Sequence, residues 1–468
     1  MTGIPAEQVS LRLTPHPLQR VGAFALAAFA GARHPDMVAG PLFEAAAEKV
    51  TAAAVRAALV RDTKAEAGFL LKCSYSLWPN SKMNHPRNKK LSDAEVTEAV
   101  RAWRTIPAPQ TWPGTGCVLC GAVAVGFYGK SDVVLAESVA YRNSTPRGHA
   151  GLALCWPCVC SFHSVPFGSQ LTGGPSTVVH TWDERFAAHT VDRQVQRNGL
   201  LITLGAKPAS PQADVAVLAA LRGYEHRVTA GVELLVFTNN NQDQVLTSHA
   251  VDQPLAEWLR TTTRLPDRRT GFACLLRSLR TDKNSGAQNL AWRVFHRPES
   301  IPGVLASYLT ARTEACGRPA PESPAVAELA GSYLHEVMHM EEKDLAEIRA
   351  TAQRVAALFK PDDTGGQAHR LSRPVPHRPR RGPAQLAAAP RRRMGPGPPG
   401  GRRSADHRAR VRAVVLPQPG RQRLVLPAVP AHIRSGGTAP PRLAAQRRQD
   451  DRRGLRPRRH RPRRHRSP

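Results

Sequence analysis

Two cysteine pairs constrain this chain more than any other feature. Cys117-Val118-Leu119-Cys120-Gly121 and Cys155-Trp156-Pro157-Cys158 are separated by 34 residues. Two residues between sulfurs let both thiolates of a pair reach one ion, and Gly121 permits the tight turn after the first pair. Together the pairs supply the four donors of a tetrahedron, so the spacing predicts one structural zinc with no open coordination position. A thioredoxin-like redox pair would leave the second pair unexplained. A four-cysteine iron–sulfur centre is the other metal option. Cys160 could stand in for Cys158, but the Cys155–Cys158 spacing repeats that of the first pair, so Cys160 reads as a core residue. Cys73, Cys274 and Cys316 have no partner at ligand spacing. Paired Cys-x-x-Cys motifs in a 468-residue chain point to metal rather than a disulfide framework, and so to a reducing, cytoplasmic setting.

The formal charge of +30 is unevenly spread. From Pro361 to Pro468 the chain has 28 Arg, 5 Asp, 18 Pro and 11 Gly, with no Lys, Glu, Cys, Phe, Tyr or Trp. Such a segment buries too little apolar surface to offset its ordering entropy, and it reads as a disordered basic tail. It is either a polyanion-binding arm, with Arg452 to Arg466 the densest part, or the product of a frame slip near Asp362–Gly366. GC-rich codons read out of frame yield Arg, Pro, Gly and Ala. No function is drawn from it. Residues 1–360 are mildly basic, which suits a nucleic-acid partner without requiring one. Residues 21–32, VGAFALAAFAGA, follow Arg12 and Arg20 as a secretion signal would. The run is far short of the ~20 residues of a membrane span, and it reads as a core helix, with no membrane association.

The fold class expected is α+β, mostly helical, with a four-cysteine zinc-binding subdomain in the N-terminal half. Residues 1–110 form a helical region with helices at 17–31 and 41–60 and a basic loop at 77–90. Ser92-Asp93-Ala94-Glu95 has capping-box spacing and opens another helix. The cysteine segment occupies 111–180, and a mixed α/β region occupies 181–320. Strands are expected at 176–182 and 232–237, and helices at 184–197, 211–223, 252–264 and 287–296. One long helix spans 324–359, within a region bounded at 321–360, and the tail covers 361–468.

His335-Glu336-Val337-Met338-His339 matches the pattern in which two histidines one helical turn apart bind zinc and a glutamate activates water. On one continuous helix, Val326, Ala330, Tyr333, Val337, Ile348, Val355 and Phe359 form an apolar face. His335 and His339 then project to the opposite, solvent side beside Glu342. Leu345 stands where the longer form of the motif has its third histidine. The metalloprotease reading is therefore the weaker one. A zinc-bearing DNA-binding regulator is a third reading, without helix-turn-helix or finger spacing. No Walker A loop, GxSxG elbow or adjacent His-Asp pair is present.

Several segments resemble, in order and spacing, the large subunit of type I-B CRISPR interference (Cascade) complexes, in the branch named for its paired CXXC motifs. They are Thr14-Pro15-His16-Pro17 with Gly22 and Ala27-Ala28-Phe29-Ala30-Gly31; Trp78-Pro79-Asn80-Ser81; the first cysteine pair with Gly121; Asn143 and Pro146; Gly151-Leu152-Ala153-Leu154 leading into the second pair; and Pro166-Phe167-Gly168. The resemblance covers roughly residues 11–200, weakens towards 360, and is absent from the tail. It implies a non-catalytic subunit of a guide RNA–backbone protein complex that inspects a short flanking motif in double-stranded target DNA and helps open it in antiviral defence. Cutting would belong to a recruited helicase-nuclease. In the N-terminal half, Lys82, Asn84, Arg87, Asn88, Lys89 and Lys90 combine phosphate-seeking charge with amides that can pair with base edges. Lys130, Arg142, Asn143 and Arg147 are weaker candidates.

Overall fold

Pro17 sits in the first turn of helix α1 (Pro17–Ala30), where its missing N–H costs nothing. The His16 ring caps the Gln19 N–H, and Gly31 ends the helix in the left-handed conformation, φ 71°. The computed structural model describes residues 9–62, 77–78, 90–136, 151–171, 175–205, 212–239 and 244–358, all within one unit. After α1 come α2 (Gly40–Leu59), α3 (Asp93–Trp103), the short strands β1 (Gly126–Tyr128) and β2 (Leu152–Leu154), and α4 (Trp156–Gly168). Strands β3 (Gln170–Leu171) and β4 (Ser176–Thr181) lead to α5 (Glu184–Leu204) and α6 (Ala213–Gly223). Strands β5 (Val232–Asn239) and β6 (Gln244–Val251) precede α7 (Gln253–Thr261), α8 (Pro266–Ser278), α9 (Gly286–His296), α10 (Ile301–Cys316), α11 (Ser323–Glu336) and α12 (Glu342–Leu358). The chain is mostly helical, with the four cysteines in its N-terminal half.

The capping box forms as its spacing predicts: Ser92 Oγ accepts from the Glu95 N–H while Glu95 Oε2 accepts from the Ser92 N–H at 2.7 Å. The run at 21–32 is a core helix, with Val21 to Ala27 all buried. No helix among the described residues is long and apolar enough to cross a membrane.

Strands β3-β4-β5-β6 form one antiparallel sheet in that order. Alternation along β4 and β5 serves two cores. Val178, Leu235 and Phe237 join a core with α1, α2 and α4, whereas Val232 and Leu234 join a second core with Phe186, Trp258, Leu275 and Leu329.

The expected helix at 324–359 is two helices. His339 takes φ 56°, and the Met340 N–H turns back to the Leu334 carbonyl at 3.0 Å. Glu342 and Asp344 then open α12 with acidic side chains suited to a helix start. Ile348 and Val355, expected on a buried face, are exposed on α12. Helices α8 and α10 and strand β6 were not expected from the sequence, and α5 runs on to Leu204.

Candidate metal centre

The first cysteine pair lies on a turn closed by the Cys117 N–H to the Ala122 carbonyl (2.6 Å) and the Gly121 N–H to the Cys117 carbonyl (2.9 Å). Gly121 sits at φ 77°, a conformation that opposes any side chain. The Val118 N–H donates to the Ala153 carbonyl and the Val125 N–H to that of Leu154, while β1 pairs antiparallel with β2. The turn is thereby fastened beside the strand that leads directly into Cys155.

The second pair, whose spacing repeats that of the first, does not repeat its turn. Cys155 is the N-cap of α4 and Cys158 lies in its first turn, with Pro157 at an early helical position. The positive end of that helix faces the two sulfurs and favours thiolate. Pro157 just after a capping position was the available signal for this helix.

All four sulfurs lie within 4.8 Å of one another. Cys120 Sγ is 3.5 Å from Cys155 Sγ and 3.8 Å from Cys158 Sγ. Tetrahedral thiolates at a metal–sulfur distance of about 2.3 Å stand about 3.8 Å apart, so the spacing fits one metal ion and is too long for a disulfide. Cys117, Cys155 and Cys158 are buried and Cys120 is half-buried. Crowding alone cannot ionise all four. Hydrogen bonds from Cys120, Cys155 and Cys158 drive the Cys117 thiol far down. Contacts with Cys117 and Cys120, with burial, push Cys155 and Cys158 far up. A divalent cation removes that conflict. The site can bind a metal and is compatible with zinc; four protein donors leave no tetrahedral position for water or substrate.

Helix α4 is buried from Pro157 to Gly168. Gly22 of α1 crosses it so closely that a Cβ there would stand 1.9 Å from the Ser161 carbonyl oxygen. Gln19 Nε2 donates to the Arg12 carbonyl (2.8 Å) and to Ser161 Oγ (3.3 Å), and its Oε1 accepts from Thr14. His16 packs edge-on against Phe162 and Phe29 against Phe167. At the far end of α4, Asn198 Nδ2 donates to the carbonyls of Pro166, Phe167 and Ser169. His163 is enclosed by the rings of Trp103, Trp156 and Trp78, and burial holds its imidazole well below the usual range. Gln19, His163 and Asn198 had no motif to announce them.

Cys160 is buried, as expected once Cys155 and Cys158 take the ligand positions; Cys274, which the sequence left as a core or surface thiol, is buried too. Lys82, Asn84, Arg87, Asn88 and Lys89 fall outside the described residues, as do Cys73, Arg142, Asn143, Arg147 and the tail. Lys90 is described and exposed.

The HExxH residues do not share one helical face. The motif straddles the end of α11 and the left-handed His339. His335 Nδ1 lies 3.0 Å from the Met340 carbonyl. Glu336, expected in solvent, forms a two-pronged ion pair with the buried Arg268. An activating glutamate would have to be free of such a partner and flanked by two converging imidazoles.

The chain matches no known protein family, no curated protein and no solved structure.

Proposed function

We propose that this chain is a non-catalytic large subunit of a CRISPR RNA-guided DNA-targeting complex, in which a zinc ion on Cys117, Cys120, Cys155 and Cys158 fixes the N-terminal half. In this reading the subunit inspects the duplex motif beside the target and helps open the DNA, and a separate helicase-nuclease cuts.

The observation that supports it is that described residues from several of the segments on which the family resemblance rests lie together. Residues far apart in sequence meet around one buried helix: His16 at the cap of α1, Gly22 and Phe29 on α1, Trp78, and Cys155, Cys158, Phe167 and Gly168 on or beside α4. The metal set also supports a holding role, because a saturated four-thiolate ion contributes folding energy and offers no Lewis-acid position. A metalloprotease centred on His335, Glu336 and His339 lacks that kind of support, given the Arg268–Glu336 pair and the helix break.

The test is reconstitution of the full chain with a guide RNA–backbone protein particle. Co-purification, together with target binding that depends on both the chain and the flanking duplex sequence, is the expected result. Exclusion of the folded, metal-bearing chain from the particle, or flank-independent binding with and without it, refutes the assignment.

A further inference from the structure

An aromatic and cationic cluster stands on the surface where α9 meets β6, away from the cysteine site. Trp292 is 47% exposed, a large apolar area to leave in water on a helix whose other face is well buried. Its neighbour one turn on, His296, holds its ring 5.5 Å away at a 34° tilt. His249 of β6 packs edge-on against His296 at 4.8 Å. The Arg297 guanidinium lies 5.7 Å from the Trp292 ring centre. Arg293 is pinned nearby by Ser300 Oγ at 2.8 Å. Three rings therefore stand side by side, with the Arg297 guanidinium over the Trp292 ring and Arg293, on the same helix as Trp292, held by Ser300. The sequence accounts for it simply: Trp292 and His296 are four residues apart and share a helix face.

We propose that Trp292, His296 and His249 form a stacking platform for the bases of single-stranded nucleic acid, with Arg293 and Arg297 taking the backbone phosphates. A half-exposed indole with an imidazole beside it offers ring area on which a base can stack, and guanidinium groups on and at the end of the same helix complement phosphate charge. Glu299 is the acidic residue next along the chain, and neither arginine is paired with a carboxylate among the described residues. A protein-binding anchor would use the same indole without needing the arginines, which is the reason for favouring nucleic acid. The proposal rests on the nucleic-acid reading above but not on membership of a guide-RNA particle.

The test must report on this surface, because 28 arginines between Pro361 and Pro468 would add non-specific polyanion attraction to any bulk binding measurement. The full chain is irradiated with thymidine or uridine homopolymers carrying iodinated pyrimidines, and the crosslinked peptides are mapped by mass spectrometry. Crosslinks at residues 292–296 are expected. They should disappear in Trp292→Ala and return in Trp292→Phe, while Trp182→Ala, which removes another exposed indole, leaves them unchanged. Affinity at salt high enough to suppress tail binding should fall roughly 5- to 150-fold in Trp292→Ala. Arg297→Ala should reduce the salt slope by about 0.7. The deoxyribose and ribose arms show which strand the platform prefers. Crosslinks confined to other segments, an unchanged Trp292→Ala protein, or an equal loss in Trp182→Ala overturns the platform. A chain that crosslinks at 292–296 yet stays out of the guide-RNA particle removes the complex assignment and keeps the platform.

Discussion

Replacing Gly22 by alanine adds a methyl group whose carbon falls 1.9 Å from the Ser161 carbonyl oxygen, where real Cβ contacts essentially never come below 3.0 Å. The obstacle is backbone, so no side chain can swing aside, and α1 and α4 have to part by about 1 Å across a packed core. Overpacking of this kind typically costs about 1–3 kcal/mol, and a rigid neighbour favours the upper end. Better helix propensity returns up to about 1 kcal/mol, leaving a net loss of about 2 kcal/mol. Gly199 in α5 is the internal control. A Cβ there meets nothing within 4 Å, so Gly199→Ala should stabilise by about 0.5–1 kcal/mol. Urea denaturation of both variants measures the two signs. Ser161 lies less than one turn beyond Cys158, so Gly22→Ala should also release metal to a chelating dye faster than the wild type. Equal stability of Gly22→Ala and the wild type, or a shift of the same sign in both variants, refutes the close-crossing argument.

Elemental analysis should give about one zinc per chain, and Cys117→Ser or Cys155→Ser should lose it and unfold readily, since structural zinc contributes folding energy directly; a stable metal-free protein, or one holding iron, contradicts this. Glu336→Gln removes the two-pronged partner of Arg268, leaving only the longer ion-pair contact to Glu328 at 3.9 Å, and should cost about 1–3 kcal/mol, read by thermal melting, while adding or removing no peptidase activity. For His163, burial depresses the folded-state pKa, so the unfolded chain binds more protons. Its penalty therefore appears as pH falls below about 6.5 and grows by up to about 1.4 kcal/mol per unit until the folded ring titrates. Denaturation curves of His163→Phe should lose that part of the acid sensitivity, and identical pH profiles would refute it. In the reconstituted particle, Lys89→Ala with Lys90→Ala should weaken binding to all targets and flatten its salt dependence, whereas Asn84→Ala should reduce flank discrimination by about 1–3 kcal/mol if its contact is bidentate; unchanged behaviour leaves these residues as solvated surface.

Helix ends marked by local chemistry were legible in the sequence, and those decided by distant partners were not. Pro17 with Gly31, and Ser92 with Glu95, announce boundaries that the structure reproduces. The break at His339 has no proline or glycine to mark it. It depends on backbone bonds to Tyr333 and Leu334 and coincides with the pairing of Glu336 to Arg268, 68 residues away. Strand β6 was missed because its residues are exposed on both faces along most of its length, which erases the two-residue alternation that reveals a strand. The four ligands could be read from spacing because the ion dictates it. The helical setting of the second pair was hidden by treating the two Cys-x-x-Cys motifs as equivalent, although only the first is followed by glycine.

The central sheet has a consequence for how this molecule comes apart. Neighbouring residues of β5 are committed to opposite sides, Leu234 to one core and Leu235 to the other. Neither side can melt while leaving that strand intact for its neighbour, so the two halves should lose amide protection together rather than in sequence. Deleting one residue within β5 would exchange the two sets of side chains, and a single lesion would then damage both halves at once.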